Sequence, residues 1–291
     1  MVIDRKILYY FSLGSFLSLW FCSCEKEKMG VDEKKRIVYS TIEDDMGFEK
    51  LPPSKPGEWL YHFREKGQTF EEYKAEVRNI KTEKRSTIYI QPLGTLSEMD
   101  KEILDKMREY ATIFFFSSAM VNEPISIPEG SFNKNRWQFD ANKILLKLEK
   151  IKPDDALAYV GVMSEDLYIE GLNFVFGLGS FDKCTGVYSL ARYGDDYKIR
   201  LKRALKVMTH EMGHILSMNH CIFYRCIMCG SNSLPEADRR PMHLCPVCLE
   251  KLEWNIKFDR SERYRRLIDF YKQLGFEEEA NFLSNLQSIS E

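Results

Sequence analysis

Three histidines between positions 210 and 220 are the residues of this 291-residue chain whose spacing most directly permits chemistry. His210 and His214 are four residues apart, so on an α-helix they lie on the same face and can bind one metal ion. His220 supplies a third nitrogen after a short turn. Three protein ligands that leave a fourth position for water are typical of catalytic zinc, which lowers the pKa of that water to about 7.

Glu211 stands between the two helical histidines. It joins the inner metal shell only with difficulty, but it can take a proton from the bound water and give it to a leaving amine. Zinc would also polarise the scissile carbonyl and stabilise the developing oxyanion. The spacing therefore predicts a zinc peptidase with Glu211 as the general base.

Five of the eight cysteines cluster just after the third histidine, namely Cys221, Cys226, Cys229, Cys245 and Cys248. The two-residue spacing between Cys245 and Cys248 is typical of a zinc knuckle, and two further cysteines would complete a tetrahedral thiolate site. Disulfides are the alternative, because they form in exported proteins. We favour a structural zinc. Cys184 stands apart and is expected to be a buried, inert thiol.

The helix that carries His210 and His214 is predicted over 201–217, and its apolar side chains fall within a narrow arc at 100° per residue. These side chains are Leu201, Leu205, Met208, Met212 and Ile215. Both imidazoles lie nearly opposite that arc, so we expect one face to pack on a sheet and the imidazoles to stand in the open. The helix must end near Ser217 for His220 to turn back. That bend favours positive φ, and Asn219, which tolerates left-handed geometry, is expected to share the strain.

Strand and helix patterns alternate in the rest of the chain. Strands are predicted at 87–90, 157–163, 172–176 and 186–191, and helices at 70–79, from Ser97 or Asp100 to 115, at 140–150, and as a pair after 258. This order indicates an α/β (α+β) fold in which one sheet packs against helices. The composition, 44% hydrophobic and 13% aromatic, is sufficient for such a core.

The charges give no case for nucleic acid as a partner, because 42 Lys and Arg residues nearly cancel 44 Asp and Glu residues. Nothing in the sequence indicates an oligomeric state.

The first residues predict export. Residues 1–23 combine a basic start with an uncharged apolar run that ends in small residues, as in a secretory signal. Cys24 fits the lipidated cysteine of a bacterial lipoprotein better than Cys22 does, and an uncleaved anchor over 7–24 is the alternative. Residues 24–55 are predicted to be a flexible tether between the membrane and a domain at 56–291. We therefore expect a membrane-anchored lipoprotein in the periplasm or cell envelope.

The run from His210 to Cys221, the segment 226–228 and the knuckle at 245–248 resemble the archaemetzincins, a branch of the metzincin zinc peptidases. Further similar segments are 88–94, 166–168, 172–177 and 231–234, while 55–60 resembles the N-terminal region of the archaemetzincin-2 type. Two departures concern the loops. Ser217 replaces the usual glycine, and the gap before Cys245 is one residue shorter than usual.

The resemblance implies a metzincin-like twisted mixed sheet packed on the active-site helix within 56–217, and a small helical C-terminal subdomain within 218–291. It implies that His210, His214 and His220 bind catalytic zinc and that Glu211 is the general base. Met228 would form the Met-turn beneath the metal, where a thioether packs without competing for zinc.

The resemblance also implies a structural zinc, which makes two Zn²⁺ per chain. Its ligands would be Cys221, Cys226, Cys245 and Cys248. Cys229 is an extra thiol, and its replacement of one of the four is the alternative. An edge strand at 172–177 would pair with the extended backbone of a peptide or protein substrate. Aminopeptidase and endopeptidase activity both stay open. The alternative function is a zinc-stabilised lipoprotein that binds peptides or proteins without hydrolysis.

Overall fold

A five-stranded mixed sheet lies at the centre of the computed structural model, which describes residues 47–290. The strands are β1 (Thr87–Pro92), β2 (Ala119–Val121), β3 (Phe132–Asn133), β4 (Gln138–Asp140), β5 (Ala156–Met163), β6 (Leu167–Tyr168), β7 (Gly177–Gly179) and β8 (Thr185–Ser189). The helices are α1 (Trp59–His62), α2 (Phe70–Glu76), α3 (Glu98–Phe114), α4 (Ala141–Ile151), α5 (Tyr197–Ile215), α6 (Leu234–Asp238), α7 (Pro246–Ile256), α8 (Arg260–Gln273) and α9 (Glu277–Ser290). The large sheet has the order β2-β1-β5-β8-β7 and is parallel except between β7 and β8. A small sheet has the order β3-β4-β6.

The large sheet is covered on both faces, since all eight residues of β5 are buried. A continuous apolar run is the pattern of a strand with no solvated face. Because alternate side chains point to opposite faces, Val160 and Val162 join the main core with α3 and α5, whereas Tyr159 and Met163 join a smaller core with α4. The α8 and α9 helices pack on each other, and α8 also packs on α3.

Most of the predicted elements are confirmed. The strands predicted at 87–90, 157–163 and 186–191 correspond to β1, β5 and β8, and the C-terminal pair corresponds to α8 and α9. The Ser97 hydroxyl accepts a hydrogen bond from the Asp100 N–H at 3.1 Å and caps α3. The short helices α1 and α6 and the 11-residue helix α7 are additional to the predicted elements.

The strand predicted at 172–176, and its use as an edge strand at 172–177, is wrong. Between residues 172 and 176 only Val175 makes a β-bridge, a single one with Leu167, and the edge strand β7 begins at Gly177. The rings of Phe174 and Phe176 pack against each other with their centroids 5.1 Å apart. The aromatic residues of this segment therefore pack against each other outside a strand. Composition alone does not distinguish such a segment from a strand.

The predicted signal at 1–23, Cys24 and most of the tether predicted at 24–55 lie outside the described residues. The described part of the tether contacts the folded domain. The Leu51 N–H donates to the Phe223 carbonyl at 3.0 Å, and the Phe48 ring packs edge-on against Phe282. Between residues 47 and 290, no helix has both the length and the apolar character that crossing a bilayer requires.

Candidate metal centre and active site

The active-site helix α5 presents His210, Glu211 and His214 on one side while its apolar face is buried against α3 and β8. The predicted apolar arc is confirmed, because all five of its side chains are at most 1% exposed. The Asp196 side chain caps the helix by accepting from the Ile199 N–H at 2.8 Å. The expectation that both imidazoles stand in the open is wrong for His214, which is only 9% exposed. The reason is that the short strand β7 runs directly beside this face of the helix.

Two glycines of β7 allow that close approach. A Cβ on Gly179 would lie 2.6 Å from the carbonyl oxygen of Glu211 and 3.3 Å from the His214 Cβ. A Cβ on Gly177 would lie 2.8 Å from the Glu211 Cγ. Side chains larger than hydrogen would push the strand off the helix, so the sequence Gly-Leu-Gly sets the distance between the sheet edge and the candidate general base.

The helix ends as predicted at a left-handed residue. Ser217 has φ +67°, and its N–H donates to the His214 carbonyl at 2.8 Å. Its hydroxyl accepts from the Arg78 N–H at 3.1 Å, a bond that glycine cannot form and that offsets part of the backbone strain. The prediction for Asn219 is wrong, because it is not among the left-handed residues of the described chain. Its N–H instead donates to Gln68 Oε1 at 3.2 Å.

The structure brings the three predicted histidines together. One nitrogen from each of His210, His214 and His220 lies within 4.8 Å of the others. Each Nδ1 is within hydrogen-bond distance of an oxygen. The partners are the Ile227 carbonyl at 2.9 Å for His210, the Met218 carbonyl at 2.8 Å for His214, and Glu65 Oε1 at 2.8 Å for His220.

These partners fix the tautomers. A carbonyl or carboxylate oxygen only accepts, so each Nδ1 carries the proton and each Nε2 keeps its lone pair. The Nε2 atoms of His210 and His214 are 3.1 Å apart, and with this assignment neither can donate to the other. Two facing lone pairs repel unless a cation lies between them. The donor set therefore fits one metal ion, and three imidazole nitrogens suit zinc.

Burial keeps the helical imidazoles neutral. It lowers the pKa of His210 to about 3. Burial likewise lowers the pKa of His214 well below its ordinary value. Neutral imidazole is the form that binds a metal. Burial has the opposite effect on the carboxyl of Glu211, whose pKa it raises to about 8 while a hydrogen bond from the Gly179 backbone opposes the rise.

Met228 lies against the middle of the motif helix. A Cβ on Gly213 would be 2.3 Å from the Met228 sulfur, so the thioether occupies the space that this glycine leaves. Met228 is fully buried, and its carbonyl accepts from the Cys221 N–H at 2.8 Å. The predicted Met-turn residue is thus tied both to the histidine helix and to the residue after His220.

Four of the five clustered cysteines converge. The sulfur atoms of Cys221, Cys226, Cys245 and Cys248 lie within 4.8 Å of one another in a buried position. All six cysteines of the described chain are free thiols, which goes against the disulfide alternative. The N–H groups of Met228 and Cys245 donate to Cys226 Sγ at 3.5 and 3.3 Å, as expected around a thiolate.

Cys229 belongs to the same buried group as the four, whereas Cys184 lies apart from them. The Cys229 thiol faces the Tyr224 carbonyl at 3.2 Å and also contacts Cys221, so its substitution for one of the four stays a prediction. Cys184 is buried as predicted, and burial raises the pKa of its thiol.

Sequence reasoning missed Glu65 and Trp59. Glu65 contacts His220, and the Trp59 indole packs edge-on against the His220 ring with their centroids 5.2 Å apart. Both residues precede His220 by more than 150 residues, so no local spacing links them to it. Burial raises the pKa of the Glu65 carboxyl. The interactions with His220 and Trp59 lower this pKa by more than burial raises it, so the net shift is downward.

Known proteins are similar to this chain in sequence. Residues 83–254 match the family model described as Peptidase family M54. Archaemetzincin-2 from Mus musculus is 34% identical over 286 aligned residues, which cover 83% of this chain and 80% of the mouse protein. The chain belongs to the archaemetzincin family.

Solved archaemetzincins have the same fold. The structure from Methanopyrus kandleri is 31% identical, has a TM-score of 0.54, and covers 61% of this chain and 99% of its own. The structure from Archaeoglobus fulgidus is 31% identical with a TM-score of 0.51, and covers 57% of this chain and 99% of its own. Archaemetzincins are zinc-dependent metallopeptidases, so the predicted enzyme class and the predicted mixed sheet on a motif helix are confirmed.

Proposed function

We propose that this archaemetzincin hydrolyses peptide bonds with Glu211 as the general base, and with His210, His214 and His220 as the ligands of a catalytic zinc. The observation that carries the proposal is the convergence of three Nε2 lone pairs next to a buried carboxyl. When bound there, zinc would polarise the scissile carbonyl and make water a nucleophile near neutral pH.

Glu211 supplies the proton transfers. As a carboxylate it can accept a proton from the attacking water and then release it to the leaving amine, and burial, which raises the pKa of this carboxyl, makes it the stronger base. Neutral His210 and His214 cannot compete with it for that proton, because burial depresses the pKa of each imidazole. The Nδ1 hydrogen bonds hold the rings so that their Nε2 atoms keep facing one point.

The edge strand β7 is the candidate platform for the substrate. It is the last strand in the order of the large sheet and pairs only through β8 among the described strands. An extended peptide that adds to this edge would run past Glu211, since Gly177 and Gly179 leave no side chain in between. This supports a substrate with several residues in extended conformation on one side of the cleaved bond.

The test is the Glu211→Gln variant against the wild type, with a peptide library analysed by mass spectrometry. We expect the wild type to cleave and the variant to lose cleavage by at least about 100-fold while keeping its zinc. Normal turnover by the variant would refute the mechanism. The positions of the cuts distinguish removal of N-terminal residues from internal cleavage. A wild type that holds zinc and binds peptides without cutting them would support the binding alternative instead.

We propose a second, structural zinc on Cys221, Cys226, Cys245 and Cys248, which makes two Zn²⁺ per chain. Its support is the buried convergence of the four sulfur atoms and the backbone N–H donors around Cys226. Since Cys221 follows His220 directly, this zinc would stiffen the turn that carries the third catalytic ligand. Elemental analysis of purified protein should give two zinc ions per chain, and a value of one would contradict the pair of sites.

We also propose, from residues 1–24 alone, that the chain is exported and anchored to the envelope membrane through lipidated Cys24. Metabolic labelling with a radioactive fatty acid in a bacterial host should mark the wild type and a Cys22→Ser variant, but not Cys24→Ser. Label on Cys24→Ser would disprove this attachment site.

A further inference from the structure

A segment outside the matched family region forms one wall of the metal centre. The family match begins at residue 83, whereas Trp59 and Glu65 belong to α1 and the loop after it. Both residues contact His220, which is the one of the three candidate ligands that does not lie on α5. The third ligand therefore depends on a part of the chain that the family model does not include.

The Glu65 carboxylate binds the Nδ1 side of His220. Its Oε1 and Oε2 atoms lie 2.8 and 3.1 Å from Nδ1, and the Trp59 Nε1–H donates to Oε1 at 2.9 Å. The side chains of Glu65 and His220 are 25% and 18% exposed. A partly buried carboxylate with two such donors is held in one orientation, and it can hold the imidazole in turn.

Trp59 is itself fixed to the C-terminal part of the chain. Its backbone N–H lies 3.2 Å from both carboxylate oxygens of Glu236, which is buried. Its indole fills the space over Gly230, where a Cβ would lie 2.4 Å from the ring. The donor to Glu65 is therefore attached at two points.

Gln68 holds the other side of the same turn. Its Oε1 accepts from the Asn219 N–H at 3.2 Å, and its Nε2 donates to the Ser217 carbonyl at 3.3 Å. The Lys251 ammonium donates to the Gln68 carbonyl. The loop from Glu65 to Gln68 thus contacts the turn just before His220 as well as the His220 ring.

The three histidines differ in the group that orients them. His210 and His214 donate to backbone carbonyls, whereas His220 donates to a carboxylate. A carboxylate partner makes the opposite nitrogen a stronger metal ligand and fixes the ring more firmly. We propose that Glu65 is the positioning residue of the third zinc ligand, so that the segment 59–68 is part of the catalytic centre. The proposal rests on the catalytic zinc of the proposed function.

The experiment measures zinc affinity, with no peptide present. Full-length wild type, Glu65→Gln and Glu65→Ala are first loaded with one zinc on the thiolate site, and Zn²⁺ is then titrated in competition with a chromophoric chelator. The matched control is Glu71→Gln, an exposed carboxylate nearby on α2 that pairs with Lys74. Thermal unfolding before the titration checks that each variant is folded.

We expect Glu65→Ala to bind the second zinc about 10–100-fold more weakly than the wild type, which is the range for loss of such a partner. Glu65→Gln keeps an acceptor oxygen and should lie between the two, while Glu71→Gln should equal the wild type. The visible spectrum of Co²⁺ at the second site should change in both Glu65 variants, because the His220 ring is held differently. Trp59→Phe keeps a ring against His220 but removes the donor to Glu65, and it should weaken zinc less than Glu65→Ala.

Wild-type affinity and an unchanged Co²⁺ spectrum in Glu65→Gln and Glu65→Ala would overturn the proposal. So would a loss of zinc in Glu71→Gln equal to that in Glu65→Gln, because the effect would then not belong to the contact with His220. If Glu65→Ala does not fold, the folded Glu65→Gln variant decides alone. A wild type that shows this dependence on Glu65 but cleaves no peptide would contradict only the proposed function.

Discussion

Gly213 and Met228 fit each other so closely that a methyl group on the glycine would lie 2.3 Å from the methionine sulfur. The glycine stands inside the histidine motif, where helix propensity alone would favour alanine by about 1 kcal/mol. The contact therefore explains why a poor helix former occupies this position between Glu211 and His214.

Replacing Gly213 with alanine tests that contact through the sign of its effect. At a position without the clash, Gly213→Ala would stabilise α5, but here we expect the free energy of unfolding to fall by about 1–3 kcal/mol because of overpacking. Urea unfolding gives the difference. In a Met228→Ala background the space is vacant, so the same substitution should become neutral or stabilising. Equal costs in both backgrounds would show that the methionine is not the cause.

The spacing between β7 and α5 depends on Gly179 in a similar way. In Gly179→Ala the new methyl group would meet the Glu211 carbonyl oxygen at 2.6 Å, and backbone atoms cannot yield as a flexible side chain can. We expect the strand to shift and kcat/KM for peptide cleavage to fall by about 10–100-fold, because a displacement of about 1 Å costs that much in a preorganised site.

The control for this prediction is the neighbouring Ser180→Ala variant, which removes only an exposed hydrogen bond to Asp182. Its kcat/KM should stay near that of the wild type. Unchanged activity in Gly179→Ala would mean that the distance between the sheet edge and the helix does not matter for cleavage.

The parts of the site that sequence could predict are those fixed by local periodicity. His210 and His214 follow from the helical repeat, and the turn at Ser217 follows from the need to bring His220 back. The position of β7 did not follow, because its glycines carry no strand propensity and act through their lack of a side chain.

Long-range polar contacts are the other part that sequence could not provide. Glu65 and His220 are 155 residues apart, and nothing in the spacing of the N-terminal segment marks one glutamate among several. The openness of the histidine face was also misjudged, since a helical wheel places residues on a face but does not show which strand covers it.

The Asp100–Arg200 pair links the first turn of α3 to the first turn of α5 and should govern acid stability. The two side chains are 3% and 11% exposed, with the Asp100 Oδ1 and Arg200 Nε atoms 2.7 Å apart. Burial raises the pKa of Asp100. The interactions with Arg200 and Ser164 lower this pKa by more than burial raises it, so the net shift is downward. A carboxyl with a depressed folded pKa contributes stability above its unfolded pKa of about 3.9 and loses it as the pH falls through the folded value.

Arg200→Leu leaves the carboxylate buried without its partner, so we expect a loss of about 3–5 kcal/mol at pH 7. The pKa of Asp100 should then rise, and its protonation on acidification should recover part of the loss relative to the wild type. Urea unfolding at pH 7 and pH 4 measures both effects. The exposed Arg265, which pairs with Glu262, is the control, and Arg265→Leu should cost less than about 1 kcal/mol. A loss in Arg200→Leu no larger than that of Arg265→Leu would contradict the role of the buried pair.

The thiolate cluster should stabilise the catalytic turn as well as its own subdomain. Cys248 lies on α7, away from His220 in the chain, so Cys248→Ser removes one of the four candidate sulfur ligands without altering the histidine turn directly. We expect one zinc to be lost per chain and the free energy of unfolding to fall by about 4 kcal/mol or more. The zinc at the histidines should also bind more weakly, because the Cys221–His220 turn is no longer held. Cys229→Ser changes a thiol of the same cluster, one that faces the Tyr224 carbonyl. This variant should keep both zinc ions, and its free energy of unfolding should fall by no more than about 1 kcal/mol. Elemental analysis together with urea unfolding distinguishes the two variants, and loss of zinc in Cys229→Ser with retention in Cys248→Ser would exchange their roles.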